Sequence, residues 1–353
     1  MVKPDATPVA IRPYRVGAEK LEAYTKLLRE CVDTKKIVPS MRSWNLPTFV
    51  VPKPNGKFRL VQDFRPLNIA TVKDGHPLPR ILDILQRQGR CKMWSKLDLV
   101  DGFHQMPLRK DHRHYTCTST PWGVMEWTVL SMGFKNAGSQ FQRMMEGVLQ
   151  GLPNVDVYLD DILIGSVGKS LEELISNHRQ DVERFLDRLA QNKMVCSPAK
   201  SKFFQKEVEI LGHVLRDGFR KPAPGKLLPI EKWELPRTIT ALRSFLGMAN
   251  YLSEYVPKFA QVAAPLMERL KVSKEDGKKG SLKEVVWSES DVEAFHELKT
   301  KLVEGLSLYQ PKLDEPFVLK TDASERAIGA ELSQRFDGVL RPVAFFSRKL
   351  AKS

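Results

Sequence analysis

The feature that most constrains this sequence is a pair of adjacent acids inside an apolar run. Asp160 and Asp161 lie between Val155 to Leu159 and Ile162 to Ile164. A buried carboxylate is costly unless it is paired or binds a cation. Apolar strands of this kind are typical of a core sheet, so the acids should lie in a turn at its edge. An ordinary acidic hairpin turn is the alternative, and it would be preferred for an Asp-Asp pair alone.

A third acid, Asp98, ends the run from Trp94 to Leu99, whose alternation predicts a strand. Phosphoryl transfer by two hard cations needs about three carboxylates from different strands. Asp98, Asp160 and Asp161 meet that requirement. Considered alone, Asp98 would be interpreted as a surface acid at a strand end.

A basic hairpin is predicted nearer the N-terminus. Strand-like runs at Thr48 to Pro52 and Phe58 to Asp63 flank Asn55-Gly56, which is a strong signal for a hairpin turn. Lys53 and Arg59 on such a hairpin suit contact with a triphosphate, because their charge offsets the charge that develops in the transition state. A solvated basic turn is the alternative.

The remaining pattern alternates helices and strands without an internal repeat. Helical spacing is found from about 17 to 36, from 134 to 150, after Ser170, and in two segments separated by Pro257. The segment 271–284, rich in Lys, Gly, Ser and acids, is typical of a flexible linker. Beyond it, a helix over 291–306 and three strands at 317–322, 328–334 and 342–347 are predicted.

Composition narrows the class of protein. No apolar run approaches the roughly 18 residues of a membrane helix, and the first residues lack the apolar core of a signal peptide. The four cysteines are scattered, which favours free thiols over a zinc site or a disulfide framework. We therefore expect an intracellular protein that is not secreted.

The formal net charge of +14 favours a polyanionic partner, and residues 200–280 hold 16 Lys and Arg against 9 Asp and Glu. A basic surface that serves solubility is the alternative.

Seven motifs, taken in order, resemble the reverse transcriptase of gypsy-type LTR retrotransposons, which is related to the retroviral enzymes. Each motif is weak to moderate alone, but the order makes a chance match improbable. The resemblance extends from about Ile11 to Leu350. The motifs are Val61-Gln-Asp-Phe-Arg-Pro-Leu-Asn68, Lys96-Leu-Asp-Leu-Val-Asp-Gly-Phe-His-Gln105, Met132-Gly-Phe-Lys-Asn-Ala137 with Phe141-Gln142, Tyr158-Leu-Asp-Asp161, Leu211-Gly-His213, Leu242-Arg-Ser-Phe-Leu-Gly247 and Thr321-Asp-Ala-Ser324.

The resemblance implies an α+β right-hand polymerase with fingers, palm and thumb, followed by a truncated RNase H-like segment of three strands. Residues 1–217 would form the fingers (about 1–84 and 107–137) and the palm (about 85–106 and 138–217). The thumb would be 218–270, the linker 271–284, and the incomplete N-terminal part of an RNase H-like domain 285–353.

The resemblance also implies roles for individual residues. Asp98, Asp160 and Asp161 would be the catalytic residues and hold two Mg²⁺ or Mn²⁺ ions. Phe103 would exclude a ribose 2′-OH, although it could be ordinary core, and Met132 could likewise be ordinary packing. The other implied roles are nucleotide binding by Lys53, Arg59, Met132 and Gly133, primer gripping by Leu211, Gly212 and His213, and, by a looser alignment, general acid catalysis by Lys200.

The implied function is RNA-directed DNA polymerisation, in which a primer 3′-OH is extended with deoxynucleotides on an RNA or DNA template. Other Pol segments (protease, the rest of the RNase H, integrase) would be partners in a polyprotein, and the location would be the cytoplasm or virus-like particles. A catalytically silent nucleic-acid-binding remnant of a mobile element is the alternative from another class. An RNA-templated RNA polymerase is a further alternative, but a bulky Phe103 would disfavour ribonucleotides.

Asp322 matches the first metal-binding acid of an RNase H domain. Two-metal hydrolysis needs further carboxylates, and the sequence given stops at Ser353, before a helix that could supply them. We therefore expect no RNase H activity from this chain and expect it to be part of a longer polyprotein.

Overall fold

The computed structural model describes residues 2–53, 56–270, 284–305, 307–324 and 327–350. The chain divides into two compact units. The first comprises Met1–Arg80, Ser95–Ile164 and Arg179–Phe203, and the second Ile81–Trp94, Gly165–His178 and Phe204–Ser353. The predicted linker lies outside the described residues, except for Glu284.

The described elements alternate between helices and strands throughout the chain. In order to the end of the central hairpin they are α1 (Ala18–Asp33), β1 (Ile37–Pro39), β2 (Thr48–Pro52), β3 (Phe58–Gln62), α2 (Arg65–Ala70), α3 (Ile81–Gln88), β4 (Met93–Asp98), 3₁₀ helices at Gly102–Gln105 and Lys110–Thr116, β5 (Thr118–Thr120), β6 (Gly123–Trp127), α4 (Ala137–Val148), β7 (Val155–Tyr158) and β8 (Asp161–Ser166). They continue with α5 (Leu171–Gln191), β9 (Lys202–Gln205), β10 (Glu207–Ile210), β11 (His213–Arg216), β12 (Phe219–Pro222), α6 (Pro224–Glu231), α7 (Ile239–Tyr251), a 3₁₀ turn at Ser253–Tyr255, α8 (Phe259–Arg269), α9 (Glu289–Glu304), β13 (Leu308–Tyr309), β14 (Phe317–Ala323), β15 (Ala327–Phe336) and β16 (Val339–Lys349).

A four-stranded sheet with the order β7-β8-β4-β9 carries the acidic residues. Its β8 strand contains Ile162, Leu163 and Ile164, and all three side chains are fully buried. In the first unit, the face of α4 with Phe141 and the face of α5 with Phe185 share one hydrophobic core with these strands. The sheet is therefore covered by helices, which explains why its β8 strand is continuously apolar rather than alternating.

Two smaller sheets complete the first unit. The predicted basic hairpin is confirmed, since β2 pairs antiparallel with β3, although Pro54 and Asn55 at its tip lie outside the described residues. The other sheet has the order β1-β6-β5. Helix α1 packs its apolar face, including Tyr24 and Leu28, into a core shared with strands of both sheets.

The second unit has a helical core. The helix predicted before Pro257 is confirmed as α7, on which Leu242, Phe245, Leu246 and Ala249 are all buried. This face shares its core with α8 and α9. The adjoining sheet has the order β10-β11-β12-β13.

The three predicted C-terminal strands are confirmed as one antiparallel sheet, β14-β15-β16. Helix α8 packs on it: the Ala260 amide donates to Ser347 Oγ at 2.9 Å, and Lys349 lies 3.2 Å from Glu268. No described helix combines the length and the apolar character needed to cross a bilayer.

Candidate active site

The acidic turn between β7 and β8 begins one residue earlier than the sequence pattern predicts. Tyr158 pairs with Asp161 across the hairpin, so Leu159 and Asp160 form the turn and Asp161 already belongs to β8. Leu159 adopts φ 52°, in the left-handed region that costs a non-glycine residue about 1–2 kcal/mol. Asp160 thus lies at the tip of a strained turn, while Asp161 is fixed by strand pairing.

Gln142 of α4 contacts this turn from the core. Its side chain is fully buried. Its Oε1 accepts a hydrogen bond from the Leu159 amide at 2.8 Å, and its Nε2 donates to the Val157 carbonyl at 3.1 Å and to Glu146 Oε1 at 2.9 Å. One side chain therefore holds the main chain on both sides of Tyr158, immediately before Asp160.

Asp98 ends β4 as predicted. Its amide donates to Ser201 Oγ at 3.3 Å, and its carbonyl accepts from the Ser197 amide at 2.8 Å. The main chain at Asp98 is thus fixed to the segment that precedes β9. Lys200 belongs to the same segment, and its Nζ lies 3.1 Å from Asp98 Oδ1.

Gly102 permits a close approach of the main chain to Asp160. A Cβ atom at Gly102 would lie 2.8 Å from Asp160 Oδ1 and 3.3 Å from the Phe141 ring. Such a distance is shorter than ordinary van der Waals contact, so a larger residue would displace the carboxylate or the ring. Glycine is therefore needed here for space rather than for backbone conformation.

Asp160 lies in an electrostatically unfavourable position. Burial raises the pKa of its carboxyl group, and the charges of Asp98 and Asp161 raise it further, while Lys200 opposes them. Lys96 forms an ion pair with the third acid, since its Nζ lies 3.0 Å from Asp161 Oδ1. Two of the acids thus contact lysines, whereas Asp160 carries the cost of the accumulated negative charge.

A cleft of about 650 Å³ opens in front of Asp98 and Asp160. Basic side chains from four different segments line it together with these acids. They are Lys36, Lys53, Arg59 and Lys200. The cleft therefore has acids and cations facing the same space, an arrangement suited to a polyanion bound through metal ions and direct charge contacts.

The sequence profile of the family described as "Reverse transcriptase (RNA-dependent DNA polymerase)" matches residues 51–215, which include all three acids. A second profile, "RNase H-like domain found in reverse transcriptase", matches residues 287–353. This chain carries a reverse transcriptase domain.

Relatives of this reverse transcriptase domain include transposon polyproteins of Drosophila melanogaster. The retrovirus-related Pol polyprotein from transposon 297 is 33% identical over 92% of this chain, and that from transposon gypsy is 34% identical over 98%. The alignments cover 30% and 34% of those polyproteins, so the chain spans about a third of their length.

A solved structure has the same fold. The foamy viral protease-reverse transcriptase dRH, in complex with ds DNA, matches with a TM-score of 0.86 and 25% identity over 98% of this chain and 58% of that one. The likeness confirms the predicted α+β polymerase fold with an RNase H-like segment. The boundaries of fingers, palm and thumb remain predictions.

The reverse transcriptase domain brings most of the predicted nucleotide-binding residues to the cleft, but not all of them. Lys53, Arg59 and Met132 line it. Gly133, with φ 91°, follows Met132 but is not among the residues that line the cleft, and its carbonyl accepts from Asn68 at 2.9 Å. Phe103 is half-buried and packs its ring 4.9 Å from that of Phe141, so it belongs at least partly to the core.

The predicted primer-gripping residues lie in the second unit. Leu211 and Gly212 form the turn of the β10–β11 hairpin, and His213 begins β11. His213 is 2% exposed, and burial lowers the pKa of its imidazole to about 4, with further lowering by the charges of Arg220 and Lys226. The imidazole is thus neutral at physiological pH.

Asp322, the predicted RNase H acid, is held by a lysine in the second unit. Its carboxylate lies 2.6 Å from Lys258 Nζ, and this contact lowers the pKa of the carboxyl group. Asp322 lies near the C-terminal end of β14, as predicted. Its pairing with Lys258 was not foreseen.

Several residues of the site escaped the sequence analysis. Lys36 and Asp101 form an ion pair of 2.7 Å at the cleft, and the nearby His104 and the hydrogen bond from Lys36 hold the pKa of the Asp101 carboxyl group well below its usual range. The hydrogen bonds from Gln142 to the main chain before Asp160 are likewise not revealed by any local sequence pattern. Asp101 and Gln142 do fall inside the matched motifs, and this was the only available signal.

The chemistry of the acids fits divalent metal ions. Carboxylate oxygens are preferred by Mg²⁺ and Mn²⁺, and Asp98 and Asp161 both raise the pKa of Asp160, so the three negative charges lie within reach of one another. Within the described ranges, however, no three His, Cys, Asp or Glu side chains are arranged as a ready-made ligand set. Ion binding would therefore require Asp98 and Asp161 to exchange their lysine contacts for metal.

Proposed function

We propose that this chain is an RNA-directed DNA polymerase that extends a primer 3′-OH with deoxynucleotides. The observation that carries the proposal is the cleft, in which Asp98 and Asp160 face Lys53, Arg59 and Lys200. The matched reverse transcriptase family supports the same reaction.

Asp98, Asp160 and Asp161 would hold the two Mg²⁺ or Mn²⁺ ions. Bound ions of this kind activate the attacking oxygen and stabilise the leaving oxygen. Lys53 and Arg59 bind the triphosphate of the incoming nucleotide, because a guanidinium and an ammonium group offset phosphate charge. Met132 and Gly133 line the nucleotide site.

Phe103 and Lys200 have the two more specific roles. Phe103 lies under the sugar and leaves no space for a 2′-OH. Lys200 is the candidate general acid, since its Nζ can give a proton to the departing pyrophosphate. Its contact with Asp98, at 3.1 Å, supports a place beside the acids that would hold the metal ions.

Template and primer are proposed to bind to both predicted palm and predicted thumb surfaces. Related folds have been solved in complex with dsDNA and with an RNA/DNA hybrid, which supports a duplex as the partner. The turn of Leu211 and Gly212, with His213, would grip the primer. The relatives are Pol polyproteins, so protease, RNase H and integrase segments are proposed neighbours, and the cytoplasm or virus-like particles the proposed location.

Primer extension with Mg²⁺ or Mn²⁺ and the Asp160→Asn variant tests the proposal. The substitution preserves shape but weakens cation binding, and a loss of ~4 kcal/mol of transition-state stabilisation would slow extension about a thousandfold. Template–primer binding should survive. Asp187→Asn, which changes an exposed acid on α5, is the matched control.

Two outcomes would contradict the proposal. Extension by Asp160→Asn at the wild-type rate would remove Asp160 from the catalytic set. Binding of template–primer by the wild-type chain without incorporation of nucleotide would favour the alternative, a silent nucleic-acid-binding remnant.

A further inference from the structure

The turn of the β10–β11 hairpin has a strained backbone and a specific neighbour. Leu211 and Gly212 adopt φ 49° and 78°, which is the pattern of a two-residue type I′ turn. A Cβ atom at Gly212 would lie 2.7 Å from the hydroxyl oxygen of Tyr251, the last residue of α7. Glycine thus allows Tyr251 to lie directly against the turn.

The Tyr251 hydroxyl contacts Leu211 and His213, and these contacts fix the position of its proton. It donates to the Leu211 carbonyl at 2.5 Å, and His213 Nε2 lies 3.3 Å from the same oxygen. A hydroxyl has a single proton. Because that proton is given to Leu211, the contact with His213 is a hydrogen bond only if Nε2 carries a hydrogen and donates it.

The other imidazole nitrogen then determines the direction of the next contact. His213 Nδ1 lies 2.7 Å from the Tyr255 hydroxyl, and both residues are buried. A neutral imidazole with hydrogen on Nε2 has a lone pair on Nδ1. Tyr255 must therefore donate to Nδ1, and the bonds run in one direction from Tyr255 through His213 and Tyr251 to the Leu211 carbonyl.

The charged surroundings are consistent with a neutral His213. Glu254 Oε1 lies 3.9 Å from Nδ1 and would favour an imidazolium, but Arg220 pairs with Glu254 at 2.7 Å. Arg220, Lys226 and burial all lower the pKa of the imidazole. Lys226 Nζ also lies 5.6 Å from the centre of the Tyr251 ring, which helps to hold that ring in place.

We propose that Tyr255, His213 and Tyr251 form a directed chain of hydrogen bonds that positions the Leu211–Gly212 turn for contact with the primer. The proposal rests on the proposed polymerase function. All three side chains are positioning residues, since they act on the primer through the turn. The chain of bonds connects the hairpin tip to α7 and to the 3₁₀ turn that follows it.

The direction of the hydrogen bonds can be measured without any assay of activity. Long-range ¹H–¹⁵N correlation spectra of the full chain, with the His213 signals assigned by their loss in His213→Gln, report which ring nitrogen carries hydrogen. We expect the neutral Nε2–H tautomer at pH 7. An Nδ1–H tautomer or an imidazolium at pH 7 would overturn the chain of bonds, whether or not the protein is a polymerase.

The effect on the primer is tested by Tyr251→Phe, with Tyr309→Phe as the matched control. Tyr309 lies on β13 in the same unit, and its described contacts are made by its ring. The loss of the bond to Leu211 should reduce the maximal extension rate about five- to tenfold, because one such bond contributes on the order of 1 kcal/mol. The KM for nucleotide should stay unchanged, since the nucleotide site is intact.

A primer carrying 2-aminopurine at its 3′ end provides a second reading in the same complexes. Its fluorescence should change with Tyr251→Phe and not with Tyr309→Phe, and this comparison needs only duplex binding. Equal rates and equal fluorescence in both variants would refute the positioning role. If the wild-type chain binds duplex but does not extend it, the proposed function fails, while the fluorescence and the tautomer still test the chain of bonds.

Discussion

The hydrogen bonds of Gln142 allow a quantitative prediction about the catalytic turn. In Gln142→Met a side chain of similar length remains, but the bonds to the Leu159 amide and the Val157 carbonyl are lost. Each main-chain group left without its partner costs about 1–3 kcal/mol where water cannot replace it. The fold should therefore lose on the order of 2–4 kcal/mol of stability, since Leu159 is only half-buried.

The effect on catalysis follows from the strain at Leu159. Its left-handed conformation costs about 1–2 kcal/mol, and the Gln142 bond at 2.8 Å helps to offset this cost. Without the bond, the turn should relax and Asp160 should leave its position. A loss of ~1.4–2.7 kcal/mol of transition-state stabilisation would slow extension about ten- to a hundredfold.

Single-turnover primer extension over a series of nucleotide concentrations measures this effect. The maximal rate should fall, while the dissociation constant for template–primer should stay within about twofold, because the predicted duplex contacts lie elsewhere. Gln140→Met is the matched control: Gln140 lies on the same helix and donates to Asp74, not to the turn. A Gln142→Met variant that melts earlier but extends primers at the wild-type rate would refute the reasoning.

Three further predictions concern sugar choice, duplex binding and acid stability. Phe103→Ala should admit ribonucleotides, measured as incorporation of ribonucleotides relative to deoxynucleotides; loss of stability with unchanged sugar preference would make Phe103 only a packing partner of Phe141. If 6–10 basic residues contact phosphates, duplex affinity should fall by roughly 10³–10⁵ between 50 and 200 mM salt. The slope of log affinity against log salt concentration should decrease by about one in Arg243→Gln on α7, but not in Arg179→Gln on α5. The pKa of His213 is about 4 in the folded chain and near 6.5 in the unfolded chain, so between these values the unfolded chain binds one more proton. The free energy of unfolding should therefore fall from pH 6.5 toward 4 by up to ~3 kcal/mol. Denaturant unfolding of His213→Gln should lack this part of the pH dependence.

The strands that carry the acids could be predicted because their signals are local. Alternation ending at Asp98 and apolar runs around Asp160 depend only on neighbouring residues, and the same holds for the basic hairpin and the three C-terminal strands. The exact turn could not be predicted in this way. Its register depends on the pairing of Tyr158 with Asp161 and on a left-handed Leu159, for which the sequence has no glycine or asparagine to signal it.

The partners of the acids could not be predicted, since they are distant in sequence. Lys200 reaches Asp98, and Lys258 reaches Asp322, only because the fold brings their segments together. Lys96 is close to Asp98 in the sequence but pairs with Asp161 on the neighbouring strand. A count of charges indicates a polyanionic partner, but it does not show which lysines face nucleic acid and which neutralise carboxylates.

The pairing of acids with lysines bears on how the cleft can be stable before it binds substrate. Three carboxylates close to one another oppose folding by mutual repulsion, and partial desolvation of the Asp160 carboxyl group adds to this cost. Lys96 and Lys200 offset part of the repulsion without removing an acid. Both lysines extend from elements that also fix an acid, Lys96 from β4 and Lys200 from the segment bonded to Asp98. Because such half-exposed ion pairs are weak, they can yield to a more highly charged cation, so the same acids can be tolerated in the folded chain and still be available to metal.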